Sequence, residues 1–144
     1  MGMWSQVGED LVVGTAIQES RATYLKQLGT GPALGIFQME PNTHDDLWAN
    51  FISYRADILN KLKGLMVTGG TTLPFIQIPA QEMIGNLFYA SAMCRIHYKR
   101  APAAFPQQGD TQGLADYWKQ WYNTPQGAGT ADEFLNNYNQ YNKN

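Results

Sequence analysis

The chain has 144 residues, of which 44% are hydrophobic and only 15% are charged, so it suits one folded domain spanning residues 1–144. Its net charge of -2 and the absence of a basic run argue against a nucleic-acid-binding protein and against electrostatic capture by an anionic membrane. No segment approaches the roughly 20 apolar residues that a membrane span needs.

A first helix is predicted up to about Ser20, because Trp4, Val7 and Leu11 recur at helical spacing. Glu19 lies in the last turn of this helix, where a carboxylate opposes the helix dipole by about 0.3–1 kcal/mol. A purely structural helix would prefer Lys or Arg at this end. The placement therefore favours a role for Glu19 other than stabilising the helix.

A breaker-rich loop follows at 29–35, and a second helix is predicted over 42–63. Asn42 or Thr43 can cap this helix at its start. His44, in its first turn, is expected at the protein surface.

Residues 65–79 break the helical pattern and predict a short β-hairpin or an irregular excursion. A third helix is predicted over 80–100, and it holds no charged residue between 83 and 93. A helix that is apolar nearly all round is a buried one, so this helix is expected at the centre of the fold. Cys94 is expected to be a small buried side chain and His97 a partly buried packing residue.

Asp110 or Thr111 can cap a fourth helix, which carries Trp118 and Trp121, and residues 130–133 form a capping box for a last helix. Core packing is the expected role of both tryptophans, with an exposed aromatic interaction patch as the alternative. The chain is therefore predicted to be mainly α, with one short β or irregular excursion.

Three separated segments can build one cleft: Glu19, the run at 35–39, and the aromatic segment at 121–129. Such a cleft suits glycosidic bond cleavage, which needs an acid that is protonated near neutral pH. Burial raises the pKa of a glutamate, and Ile36, Phe37 and Met39 are expected to supply the apolar surroundings. Composition alone leaves a solvated surface charge as the alternative for Glu19.

The segments "QES", "LGIFQMEPNT" and "YNTPQGAGT" occur in an order that resembles the lysozyme-like superfamily. The likeness is closest to soluble lytic transglycosylase domains and goose-type lysozymes, and it covers about residues 11–129. It implies a lysozyme-like α+β fold, and it implies Glu19 as general acid and base with Ser20 orienting groups beside it. The residues that it places against the glycan are Gly35, Phe37, Gln38, Met39, Tyr122 and Asn123.

The chain departs from the family pattern at two places. Ile36-Phe37 replaces the usual Leu-Met, and Thr124-Pro125 follows Asn123 where Ala-Gly is usual. These differences affect the expected sugar subsites more than the reaction class.

Glu40 decides between two products that the resemblance allows. A lytic transglycosylase needs one glutamate and closes a 1,6-anhydromuramic ring, whereas an inverting hydrolase needs a second carboxylate to activate water. Goose-type lysozymes carry an Asp near the position of Glu40, so Glu40 can position that water; a solvated loop charge is the alternative. A serine-nucleophile mechanism is disfavoured because Ser20 has no evident His partner.

The favoured prediction is a peptidoglycan lytic transglycosylase, with a hydrolysing muramidase as the close alternative and a non-catalytic glycan-binding protein as the alternative of another class. The expected partner is the peptidoglycan glycan strand. No cofactor or metal is predicted, because no histidine, cysteine and carboxylate cluster has metal-site spacing. The start of the chain lacks a basic signal-peptide region. We therefore expect synthesis in the cytoplasm and delivery to the wall by a phage virion or through another protein's pore.

Overall fold

The computed structural model describes residues 3–67 and 80–141, and over these ranges the chain is mainly helical. The helices are α1 Gln6–Ser20, α2 Pro41–Asn50, α3 Ala56–Lys63, α4 Glu82–Gly85, α5 Leu87–Arg100, α6 Thr111–Trp118 and α7 Ala131–Tyr141. The β structure of the described ranges consists of isolated bridges, from Leu34 to Lys26 and to Met39. The prediction of a mainly α fold is confirmed. The excursion expected at 65–79 falls, from residue 68 onward, outside the described residues.

Helix α1 ends where the sequence predicted, with Glu19 in its last turn. Ser5 caps its start by accepting a hydrogen bond from the Gly8 amide at 3.1 Å. Arg21 closes its end in the left-handed conformation, with a φ of 53°, and its amide donates to the Ile17 carbonyl at 2.9 Å. Both ends of α1 are therefore fixed, and the position of Glu19 with them.

The single helix predicted over 42–63 is wrong, because the chain bends between α2 and α3 through a 3-10 turn at Ile52–Tyr54. In a straight helix Ile52 would point about 140° away from Leu47, since each residue turns the helix by about 100°. Both side chains are fully buried in the observed structure. The bend therefore lets the protein bury Ile52 on the same side as Leu47 and the other apolar residues of the segment.

Helix α2 begins at Pro41, the first helical position, with Glu40 as its N-cap. Proline suits this position because its missing N–H would have had no helical partner there. The prediction of Asn42 or Thr43 as the cap is wrong, because the helix starts before both residues.

His44 is 1% exposed, so the expected surface position is wrong. Its Nε2 lies 2.8 Å from the hydroxyl of Tyr89, and that hydroxyl accepts a hydrogen bond from Trp48 Nε1 at 2.8 Å. The Tyr89 hydroxyl can then donate its own proton to His44 Nε2, while His44 Nδ1 donates to Asp45 Oδ1 at 2.8 Å. This chain of hydrogen bonds fastens α2 to α5.

The third predicted helix is also divided, into α4 and α5, because the side chain of Asn86 caps α5 by accepting from the Tyr89 amide at 3.0 Å. The buried central position expected for this segment holds for α5, and Cys94 is fully buried as predicted. Helix α5 contacts α1, α2 and a π-helical turn at Lys119–Asn123. It therefore supports the three parts of the chain that carry the candidate site.

The last two helices begin as predicted. Asp110 caps α6 by accepting from the Gly113 amide at 2.8 Å, and Thr130 and Glu133 form the capping box of α7 with bonds of 2.8 and 3.1 Å. Helix α7 packs against α1 and α6. Across residues 3–67 and 80–141, none of the helices has the length and apolar character of a membrane span.

Candidate active site

A cleft of about 990 Å³ opens between the end of α1, the loop before α2 and the segment after the π-helical turn. The sequence-predicted residues that line it are Glu19, Ser20, Gln38, Met39, Glu40, Tyr122 and Asn123. Gly35 and Phe37 are buried behind this lining. The structure thus brings together residues from three distant segments of the chain.

Glu19 is partly buried on the cleft wall, and Trp118 Nε1 donates a hydrogen bond to its Oε1 at 3.1 Å. Burial raises the pKa of Glu19 from its ordinary 4.5 to about 7, and the indole bond opposes this by favouring the charged form. A carboxyl group with this pKa is protonated in a large fraction of molecules at neutral pH. It can therefore give up a proton and then keep the negative charge beside the indole N–H.

Ser20 joins the end of α1 to the loop that follows. Its side chain is 3% exposed, and Oγ donates to the Ile36 carbonyl at 2.6 Å. Because this hydroxyl is committed to the backbone, Ser20 positions the wall beside Glu19.

A tight turn at 35–39 forms one end of the cleft. Gly35 has a φ of 71°, and a Cβ at this position would lie 2.6 Å from the Met83 carbonyl oxygen, so the site requires glycine. The Gln38 side-chain amide donates to the Gly35 carbonyl at 2.8 Å, and its Oε1 makes no hydrogen bond within the described ranges. Met39 is buried in the wall. Gln38 thus offers the cleft a fixed carbonyl acceptor.

Tyr122 and Asn123 belong to the π-helical turn that continues α6. The Tyr122 hydroxyl donates to the Phe37 carbonyl at 2.8 Å, which ties this turn to the 35–39 turn across the cleft. Asn123 Oδ1 accepts from Lys119 Nζ at 2.9 Å, and the same ammonium donates to the Gly127 carbonyl at 2.7 Å. These bonds hold the segment after Tyr122 in place as the far wall.

Glu40 is an exposed residue at the N-cap of α2, and it lines the same cleft as Glu19. Its carboxylate makes no ion pair with Arg21 or Lys26, the two partners suggested by the sequence, within the described residues. It is therefore open to water inside the cleft.

The sequence did not identify two features of this site. Trp118 is 1% exposed, which confirms its expected core packing, but it offers no flat face to a sugar ring and instead holds Glu19. His97 lines the cleft, although it was expected only to pack. The Trp118 contact had no local signal, because 99 residues separate it from Glu19.

No group of three or more histidine, cysteine or acidic side chains in the described ranges is arranged to hold a metal ion. Comparison of the chain with protein-family models, with curated proteins and with solved structures gave no match.

Proposed function

We propose that this chain is a lytic transglycosylase with a lysozyme-like α+β fold that cleaves the β-1,4 bond between N-acetylmuramic acid and N-acetylglucosamine in peptidoglycan. The observation that carries the proposal is Glu19, a partly buried carboxyl group with a raised pKa on the wall of a cleft of about 990 Å³. The resemblance of the three motifs to the lysozyme-like superfamily supports the same reaction. On this proposal the protein is delivered to the wall by a phage virion or through a pore.

The reaction uses Glu19 twice. Protonated Glu19 gives its proton to the leaving glycosidic oxygen as the C1–O bond breaks. The resulting carboxylate is stabilised by the Trp118 N–H, since hydrogen bonds to charged groups are stronger than those between neutral groups. Glu19 then takes the proton from the muramic 6-hydroxyl, whose oxygen bonds to C1 and closes the 1,6-anhydro ring.

Hydrolysis of the same bond is the second candidate, and the position of Glu40 on the cleft favours it. An inverting hydrolase keeps its base about 6.5–9.5 Å from its acid, with a water molecule between them. In that case Glu40 takes a proton from the water that attacks C1, and the product ends in a reducing sugar.

Digestion of purified peptidoglycan, followed by mass spectrometry of the fragments, separates the candidates. Fragments lighter by one water have anhydro ends and indicate a transglycosylase, whereas reducing ends indicate a hydrolase. Glu40→Gln abolishes the reducing ends if Glu40 activates water, and leaves anhydro products unchanged if it does not.

Glu19→Gln tests the assignment of the acid. We expect a loss of at least about a thousandfold in cleavage, because the amide cannot give a proton to the leaving oxygen. The matched control is Glu9→Gln, the same substitution in an exposed residue at the other end of α1. Cleavage by Glu19→Gln at the wild-type rate would refute the assignment of Glu19 as the acid. Glycan binding without cleavage by the wild-type protein would instead favour a non-catalytic glycan-binding protein.

A further inference from the structure

His97 lines the cleft from α5, yet the proposed reaction does not use it. Its ring packs against the ring of Tyr122, with centroids 4.9 Å apart and planes inclined by 37°. Tyr122 is itself fixed, because its hydroxyl donates to the Phe37 carbonyl. The orientation of the His97 ring is therefore set by a rigid neighbour, and the Tyr122 proton is not available to it.

The protonation of His97 follows from its surroundings. Burial, and to a smaller extent the positive charge of Arg100, lower the pKa of His97 to about 4, while the negative charge of Asp46 opposes the change. The ring is therefore neutral at neutral pH and carries one proton, on either Nδ1 or Nε2. Nδ1 is buried and has no hydrogen-bond partner within the described part of the chain.

The proton belongs on Nε2. A proton on Nδ1 would leave a buried N–H without an acceptor, which is rarer and more costly in proteins than an acceptor without a donor. Nε2 also makes no hydrogen bond to the described residues, but it is not enclosed as Nδ1 is. His97 thus lines the cleft with a ring that carries a single uncharged N–H donor, on the nitrogen that is not enclosed.

We propose that His97 is a substrate-binding residue whose Nε2–H donates a hydrogen bond to the carbonyl oxygen of an acetamido group on a glycan in the cleft. An amide carbonyl is the strongest uncharged hydrogen-bond acceptor on such a polymer. Because neutral His97 cannot form an ion pair, it has no electrostatic preference for a carboxylate of the glycan over this carbonyl. The proposal rests on the proposed function, and it adds to it the residue that recognises an acetamido group of the glycan.

The test uses binding, so that it does not depend on turnover. The parent protein is Glu19→Gln, and the probes are a β-1,4-linked N-acetylglucosamine tetramer and its de-N-acetylated counterpart, each titrated by NMR. His97→Phe keeps a ring against Tyr122 and removes the donor. His97→Gln is the matched control, because its amide nitrogen reaches the position of Nε2.

We expect His97→Phe to weaken binding of the acetylated tetramer by about three- to tenfold, the value of one hydrogen bond, and His97→Gln to stay within about twofold of the parent. The difference between the two variants should disappear with the de-N-acetylated tetramer. Thermal unfolding of each variant checks that the fold is kept.

Equal binding by His97→Phe and the parent overturns the inference and leaves the proposed function intact. So does cleavage of peptidoglycan by the wild type without tetramer binding by the parent. Absence of both cleavage and binding overturns the proposed function and the inference together. Long-range nitrogen–proton NMR of the wild-type ring gives a test that needs no variant: a proton on Nδ1 at neutral pH refutes the reasoning.

Discussion

Replacing Glu19 by glutamine is expected to stabilise the folded protein at neutral and alkaline pH. In the folded state Glu19 keeps its proton up to about pH 7, whereas in the unfolded chain it releases the proton near pH 4.5. Between these values unfolding releases a proton, so a rise in pH favours the unfolded state. The contribution of Glu19 therefore lowers the free energy of unfolding of the wild-type protein progressively from about pH 4.5, and the full reduction is present above about pH 7.

The size of the effect follows from the two pKa values. A difference of about 2.5 between 4.5 and about 7 corresponds to an upper limit of about 3 kcal/mol. Glu19 is partly open to water in the cleft, which reduces the penalty, so we expect a gain of about 1–2 kcal/mol for Glu19→Gln at pH 8. The glutamine Oε1 can still accept the Trp118 hydrogen bond, so no donor is orphaned.

Urea unfolding of the wild type and Glu19→Gln at pH 4, 6 and 8 measures this effect. The free energies of unfolding should nearly coincide at pH 4 and separate as the pH rises, with Glu19→Gln the more stable. Glu9→Gln, at the exposed end of the same helix, should show no such separation. A stability difference that does not change with pH would mean that desolvation of Glu19 is not the cause.

Two other substitutions probe the hydrogen bonds at the cleft and in the core. Trp118→Phe removes the bond that lowers the pKa of Glu19, so the alkaline limb of the pH profile of kcat/KM should move to higher pH. The value of kcat/KM should also fall about tenfold as the carboxylate loses its donor, and an unshifted limb would contradict this role. Tyr89→Phe removes the hydroxyl that is hydrogen-bonded to Trp48 Nε1 and His44 Nε2. It should cost about 1–3 kcal/mol in urea unfolding, and an unchanged stability would show that water replaces the hydroxyl.

The sequence predicted best those features that depend on neighbouring residues. Asp110 caps α6 and Thr130 begins the capping box of α7, because each donor and acceptor lie three residues apart. Helix α1 was likewise predicted to end at Ser20. The break at Ile52 was missed because burial against other helices decides where that helix stops. The break at Asn86 is a local cap onto the Tyr89 amide, and it was missed because the surrounding residues read as one continuous apolar helix.

The same distinction holds at the candidate site. Glu19 was found from its unfavourable place at a helix end together with the motif resemblance, and the structure places it in a cleft. Its partner Trp118 and the buried bond from His44 to Tyr89 could not be predicted, since each joins residues far apart in sequence. Residue types indicate which side chains can do chemistry, but the pairing of distant ones depends on tertiary packing.

The free-energy cost of ionising Glu19 in the folded state persists because hydrogen bonds of neighbouring residues fix its surroundings. The left-handed cap at Arg21 closes the helix end, and Ser20 ties it to the Ile36 carbonyl, and these bonds oppose an unwinding that would expose the carboxylate further. Glu19 must instead remain where burial raises its pKa. A helix end that frayed would allow Glu19 to ionise at its ordinary pKa. If Glu19 is the acid that we propose, the stability of this turn keeps it protonated near neutral pH, and loosening the turn should lower activity and the pKa of Glu19 together.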